Sequence, residues 1–341
     1  MEGDPVNGEL REDSFFIELM GYHKINIELG AICAVFSMIL IWFLVTSKEF
    51  RRNRKLIITL AVADTFNCVG ILLMGMNRHV LYGSVLQSGR YGSETSWTCA
   101  RQPWLLVKTI GDVWPPIVQC FMGTEQLFAA ITCAAPNKRQ NKSRSDILVV
   151  TSIIFVIAVV GTGYTLAFIS RSNGNVKYYC GRKATFGKKF SSLIYTHNII
   201  GYASGVVLNL FALLKARKVK GKCLIVSMHQ SEHIHRIRSC LIVSILATIL
   251  VSIPNCLSIV SVLVGSVRDR ISKPAVWATC VCSGVNLFVY LVIDREFRQH
   301  VTTLWKGQKA TIFCTEGEQE ESSQPLSPPP NYQFRGKSRS C

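Results

Sequence analysis

Charge is scarce in this chain. Only 17% of its 341 residues are Asp, Glu, Lys or Arg, and acidic residues are the scarcer kind, 21 against 38 basic. That length would ordinarily suggest two soluble domains, yet 49% of the residues are hydrophobic and gather in long blocks, not in the dispersed pattern of soluble domains. The first 24 residues are acidic-rich (Glu2, Asp4, Glu9, Glu12, Asp13, Glu18) and lack a basic start and a small-residue cleavage site. A cleavable signal peptide is therefore not expected, and the first apolar block is read as its own insertion signal. No internal repeat and no catalytic constellation are visible, so neither an enzyme nor a cofactor is expected. His229, His233 and His235 in MHQSEHIHR have no cysteine partners at metal-site spacing and read as a solvated stretch.

What the chain has is apolar length. A hydrocarbon core of roughly 30 Å takes about 20 predominantly apolar residues per helix. Seven spans can be drawn: Ile25–Ser47, Leu56–Met76, Pro103–Ala134, Ile147–Ile169, Phe190–Leu214, Ser239–Gly265 and Pro274–Ile293. The fourth carries no charge, whereas the third holds Lys108, Asp112, Glu125 and the breaker pair Pro115-Pro116. A soluble amphipathic helix is the alternative for the third, which would leave six spans and both termini on one side. Charges within the membrane are tolerated when they face a bundle interior, which favours seven.

The formal net charge of +17 raises the question of nucleic acid. Most basic residues flank apolar blocks, however, where they orient helices instead of reading phosphates, and no nucleic-acid partner is expected. Three connections are strongly basic: Lys48, Arg51, Arg52, Arg54 and Lys55; then Lys138, Arg139, Lys142 and Arg144; then Lys215 through Arg238. The positive-inside rule places these in the cytoplasm and the acidic leader outside, as in a multi-pass plasma-membrane protein. The basic fourth connection (Arg171, Lys177, Arg182, Lys183, Lys188, Lys189) runs against this, but early loops usually dominate. The domain reading is an extracellular segment over 1–24, a helical membrane domain over 25–304 and a disordered cytoplasmic tail over 305–341.

Most of the 13 cysteines fall inside apolar blocks and behave as small buried residues. Cys99, before the third span, and Cys180, after the fourth, are both predicted on the oxidising side. A bridge between them would roof the bundle; two unpaired thiols is the alternative. In the second span, LAVAD places Asp64 deep in apolar surroundings, so it must face inward, be hydrated or stay protonated. Asn286 and Tyr290, one turn apart, lie on the face that would share a polar cluster with it, unless Asp64 only ties helices together.

LAVAD at 60–64, the Cys99/Cys180 pair, Pro254 within SIPN, and NLFVY at 286–290 followed after six residues by Phe297 resemble, in order and spacing, the rhodopsin-like G-protein-coupled receptor pattern. The stretches EQLFAAI and NLFVYLVIDREFR look closest to the nematode serpentine chemoreceptors of the srsx type. The resemblance implies an all-α membrane protein: a seven-transmembrane helix bundle with a short interfacial eighth helix. It implies a small-molecule or peptide ligand outside, a heterotrimeric G protein inside, and switch roles for Asp64, Glu125, Gln126, Pro254, Asn286, Tyr290 and Phe297. The family's acidic-arginine pair appears here as Glu125-Gln126, and Leu287 stands where the seventh-helix proline belongs, which puts conventional coupling in doubt. A non-coupling decoy is one rival. A transporter or channel using Lys108, Asp112, Asp64 and Glu125 as a polar path is another, though no inverted repeat supports it.

For the ligand, Lys108 and Asp112 lie four apart on one helical face, and His197, Asn198 and Trp277 are placed at similar depth. Two readings stay open: a charge anchor, or a closed Lys108–Asp112 ion pair that only holds helices together. Pro254 removes a backbone hydrogen bond and should kink the sixth span. Gly201 and Gly205 in GYASG offer a close-packing face and a weak dimer signal. Residues Asp294–Leu304 pattern as an interfacial helix with Phe297 on its apolar face. Beyond it, Cys314 is a palmitoylation candidate, and Pro329-Pro330-Asn331-Tyr332 fits the P-P-x-Y pattern read by WW domains.

Overall fold

Most of the apolar blocks fold as helices that run past one or both ends of the stretches drawn from hydropathy, because flanking polar residues continue the same backbone hydrogen-bond ladder. A computed structural model describes residues 5–88, 93–131, 138–172, 176, 179–220, 227–264 and 268–306. In chain order the helices are α1 Pro5–Thr46, α2 Lys48–Asn53, α3 Lys55–Ser88, α4 Ser96–Ala100, α5 Pro103–Ile131, α6 Lys138–Ile169, α7 Arg182–Thr185, α8 Gly187–Lys220, α9 Ser227–Ala247, α10 Ile253–Val264 and α11 Arg268–Ile293. Among the described residues the extended structure is a single antiparallel bridge between Glu94 and Val176.

Among the described residues, six helices are long and apolar enough to cross a membrane: Phe15–Thr46, Lys55–Ser88, Arg144–Ile169, Gly187–Lys218, Ile234–Ile259 and Pro274–Ile293. The seventh is α5, whose Lys108, Asp112 and Glu125 lower its apolarity. It nevertheless lies inside the bundle, packed on α3, α6 and α8, with Trp104, Leu105, Val113, Val118 and Met122 buried. Pro115 and Pro116 do not end it.

The distribution of side chains is the reverse of a water-soluble bundle. Ile147, Ile154 and Ile157 on α6, and Ile32, Val35 and Trp42 on α1, are exposed, while Asp64, Asn67, Gln119, Asn209, Ser244 and Asn286 are buried. An outer surface of contiguous large apolar residues around a core of polar ones, most of them hydrogen-bonded, is what a lipid environment stabilises. The chain is an all-α, multi-pass membrane protein.

The sixth span is not one regular helix. Between α9 and α10 lies a π-helical turn, Thr248–Ser252, in which the Ile253 N–H donates to the Thr248 carbonyl, five residues back. Pro254 follows directly, has no N–H to donate and would crowd the carbonyl four residues earlier. The wider turn accommodates it, and the Asn255 side-chain amide donates to the Val251 carbonyl at 2.9 Å. The expected kink thus takes the form of a π turn, packed against Tyr202 and Cys282.

Gly201 and Gly205 both face inward. A Cβ on Gly201 would lie 2.7 Å from Pro116 Cβ, and one on Gly205 3.3 Å from the Gln119 carbonyl oxygen. Their role is the α5–α8 contact, not a seam on the outer surface.

The chain divides into two compact units, Met1–Arg298 and Gln299–Cys341. The first ends in helical residues 295–298, capped by the Asp294 carboxylate, which accepts from the Phe297 N–H at 3.0 Å. The second is described over 299–306, which are also helical.

Candidate functional site

The site begins with two glycines. On α3, a Cβ at Gly70 would lie 2.6 Å from Lys108 Cα, and on α5 a Cβ at Gly111 would lie 2.4 Å from Asn67 Cα. Only hydrogen side chains at these positions let the two backbones touch. The contact brings the Lys108 ammonium within 3.0 Å of Asn67 Oδ1.

Lys108 also donates to Asp112, one turn on, so the ion pair is closed. It is not isolated: Arg182, from α7 in the connection after α6, donates through Nη1 to the second Asp112 oxygen at 2.6 Å. The Arg182 guanidinium sits 4.7 Å above the Tyr195 ring of α8, and Lys183 shares that ring at 5.4 Å. Burial works against the charge on Arg182, but Asp112 and Tyr195 offset it, so the guanidinium holds its proton more tightly than usual. What positions Arg182 is the Cys99–Cys180 disulfide, with Cα atoms 5.1 Å apart, which fixes the connection over the start of α5. Glu94 lies beside the two sulfurs, but both are spent in the bridge, so this grouping offers no metal site.

From Asn67 the polar contacts continue inward. Asn67 Nδ2 donates to Ser283 Oγ at 3.2 Å, Ser283 donates to Asp64 Oδ1 at 2.9 Å, and Asn286 Nδ2 donates to Asp64 Oδ2 at 2.7 Å. A continuous relay thus runs Arg182–Asp112–Lys108–Asn67–Ser283–Asp64–Asn286 across α7, α5, α3 and α11. Both oxygens of Asp64 are satisfied, which is what its burial requires. Tyr290, expected in this cluster, is not in it. Its ring packs 6.2 Å from Phe297, and its buried hydroxyl has no hydrogen-bond partner.

The other nominated ligand residues are dispersed. His197 Nε2 lies 3.0 Å from the Val113 carbonyl, with its ring 5.2 Å from Phe155 of α6. Asn198 is buried with Oδ1 unpartnered. Trp277 turns away to α1, donating to Asn26 Oδ1 at 2.9 Å and lying 5.5 Å from Tyr22. Shared depth did not bring these three to the Lys108–Asp112 pair, because helix rotation points them at different neighbours. Sequence reasoning missed Asn67 and Ser283, neutral residues in apolar runs, and saw Arg182 only as part of a basic loop.

At the opposite end, Arg54, just before α3, is buried at 4% exposure between two carboxylates, Asp294 and Glu296. Its guanidinium also lies 4.4 Å above the Phe50 ring, which stacks on Phe297 at 6.3 Å. Arg236 of α9 donates to the Asn53 carbonyl beside it. Glu125 accepts from Ser145 of α6, whereas Gln126 is buried within the bundle. A groove of about 530 Å³ on α1, lined by Met38, Ile41, Trp42, Val45 and Thr46, faces outward and holds no ionisable group.

A family described as Serpentine type 7TM GPCR chemoreceptor Srsx matches residues 120–305, just over half of the chain. The chain belongs to that family. A comparison with curated proteins finds no match. As an Srsx chemoreceptor it is a seven-helix membrane receptor, and two local departures from the rhodopsin-like pattern acquire a structural context. Where an arginine usually follows the acidic residue, this Srsx receptor buries Gln126, and Arg54 is buried at that same end. Where the seventh helix usually carries a proline, Leu287 keeps α11 regular to Ile293. Cys314 and the Pro329–Tyr332 segment lie outside the described residues, as do the side chains of His229 and His233.

Proposed function

We propose that this chemoreceptor takes its ligand at the disulfide end, which faces outside the cell, and passes the change to a heterotrimeric G protein at the Arg54 end. The observation that carries the reading is the unbroken relay from Arg182 to Asn286. A ligand that competes for Lys108 or Arg182 changes what Asp112 and Asn67 hold, and Asn67 shares that change with α11 through Ser283. Packed, hydrogen-bonded elements respond by exchanging between discrete arrangements, and the ligand selects the one in which its own contacts are better. The π turn before Pro254 gives the sixth span a place to bend. The Arg54–Asp294–Glu296 cluster and the Arg236–Asn53 contact are the ties that must open for the basic connections to receive a G protein.

Guanine-nucleotide exchange in membranes challenged with a panel of small odorants and peptides tests this. A ligand that raises nucleotide release supports the reading. So does an Asn67→Leu variant that reaches the surface, keeps ligand binding and loses most of that response. Ligand-dependent current or uptake without nucleotide release overturns it in favour of a polar transport path.

A further inference from the structure

Arg78 and Trp104 form a second cluster at the disulfide end, one turn further out than the relay. Arg78 is eight residues beyond Gly70 on α3, and Trp104 is four residues before Lys108 on α5, so the α3–α5 contact brings them side by side. The Arg78 guanidinium lies 5.7 Å from the Trp104 ring centroid and 5.5 Å from that of Tyr179, and it borders Gly181 next to the disulfide. No ion pair joins Arg78 among the described residues. Its Nε is buried without an acceptor, and so is the indole Nε1 of Trp104. Two buried N–H donors with no acceptor, one of them carried by a cation, are costly unless something supplies the missing oxygen.

The charge balance points the same way. Lys108 and Arg182 both draw on Asp112, which is the one carboxylate they share. Glu94, the other acidic side chain near the bridge, is engaged by the Thr98 hydroxyl. Arg78 adds a further cation to this end, with no carboxylate paired to it among the described residues. Met74, Leu105 and Val85 and the rings of Phe16 and Tyr82 are buried on either side.

We propose that Arg78 and Trp104 bind the carboxylate of a small organic acid, with Arg78 Nε and Trp104 Nε1 donating to its oxygens and its apolar body lying among the neighbouring side chains. The assignment names the ligand class for the ligand-receiving end proposed above and rests on that reading of this end. A planar guanidinium stacked on aromatic rings is pre-organised for a carboxylate, which a compact ammonium is not. The relay residues are internally satisfied, whereas Arg78 and Trp104 are not, so the ligand's charge docks first at Arg78.

The test uses full-length receptor in phosphatidylcholine nanodiscs, with thermal unfolding followed against added octanoate, octanol or octylamine. A ligand of the folded state raises the midpoint in a saturable way. Octanoate is expected to do so, and octanol and octylamine are not. In Arg78→Gln the octanoate concentration for half the shift rises about tenfold to a hundredfold, the worth of a charged hydrogen bond. Arg78→Lys restores part of it, and Trp104→Phe, which keeps an aromatic ring and removes the donor, weakens binding less. No saturable shift with octanoate, an equal shift with octanol, or an unchanged response in Arg78→Gln overturns the proposal. Should Arg78→Gln fail to fold, Arg78→Lys and Trp104→Phe carry the comparison. Nucleotide exchange in the same nanodiscs separates the two claims. Saturable octanoate binding that is lost in Arg78→Gln supports this site whether or not exchange follows, while exchange evoked by octanoate and untouched in Arg78→Gln supports coupling and overturns this site.

Discussion

Lys108 Nζ lies 3.0 Å from Asn67 Oδ1, so the cation of α5 is held jointly by its own helix's Asp112 and by a neutral amide of α3. This one contact makes the difference between a closed ion pair and the head of a relay, because the same Asn67 side chain donates onward to Ser283.

The contact depends on how closely α3 and α5 approach. In Gly111→Ala the new methyl carbon would meet Asn67 Cα at 2.4 Å, a backbone atom that cannot rotate aside. A loss of about 1–3 kcal/mol is expected from such overpacking, read as a lower unfolding midpoint in nanodiscs. Gly161→Ala is the control: nothing lies within 4 Å of its added Cβ, on a helix face turned outward. It should be neutral, or stabilise through helix propensity by up to about 1 kcal/mol.

The Arg54 cluster makes a second prediction. Arg54→Ala leaves Asp294 buried without its cation and should cost about 3–5 kcal/mol. Asp294→Ala leaves Arg54 with the half-exposed Glu296 and also removes the acceptor for the Phe297 N–H. The double variant should cost clearly less than the sum of the two, since each single change already breaks the pair. Unfolding midpoints of the four proteins check the cycle, and basal nucleotide exchange should rise in both single variants if the tie restrains the bundle. Additive losses would show that the two residues do not depend on each other.

Tyr290 makes the opposite kind of prediction. Its hydroxyl is buried without a partner, so Tyr290→Phe removes an unsatisfied group and leaves the ring against Phe297. A gain of about 1 kcal/mol in stability is expected. If the hydroxyl finds a partner only in the signalling arrangement, the same variant loses ligand-stimulated exchange while becoming more stable. A fall in stability would mean the hydroxyl is satisfied in the resting protein.

How much of this was legible in the sequence follows from what each signal depends on. Long apolar runs, basic flanks and the Cys99/Cys180 pair reflect the bilayer and the redox compartment, which act on any chain alike, and these led directly to the helical membrane bundle. Asp64 with Asn286 was legible because buried carboxylates need partners and few lie at hand. Asn67 was not: an asparagine in an apolar helix becomes informative only once Gly111 shows which face it presents. Trp277 is the converse case, since its depth was readable but its rotation toward Asn26 was not. The break before Pro254 was expected as a kink. Its π form depends on how α8 and α11 pack around Val251, which no local pattern encodes.

The length of α3 has one further consequence. At 34 residues it extends about 51 Å, against a hydrocarbon slab of about 30 Å. With Lys55 marking one waterline, Arg78 stands about 35 Å along the axis, at the level of the opposite lipid headgroups. An amphiphilic acid of the class proposed above would have its headgroup at that same depth when dissolved in the leaflet. Partitioning into the membrane would then concentrate the stimulus before any protein contact is made.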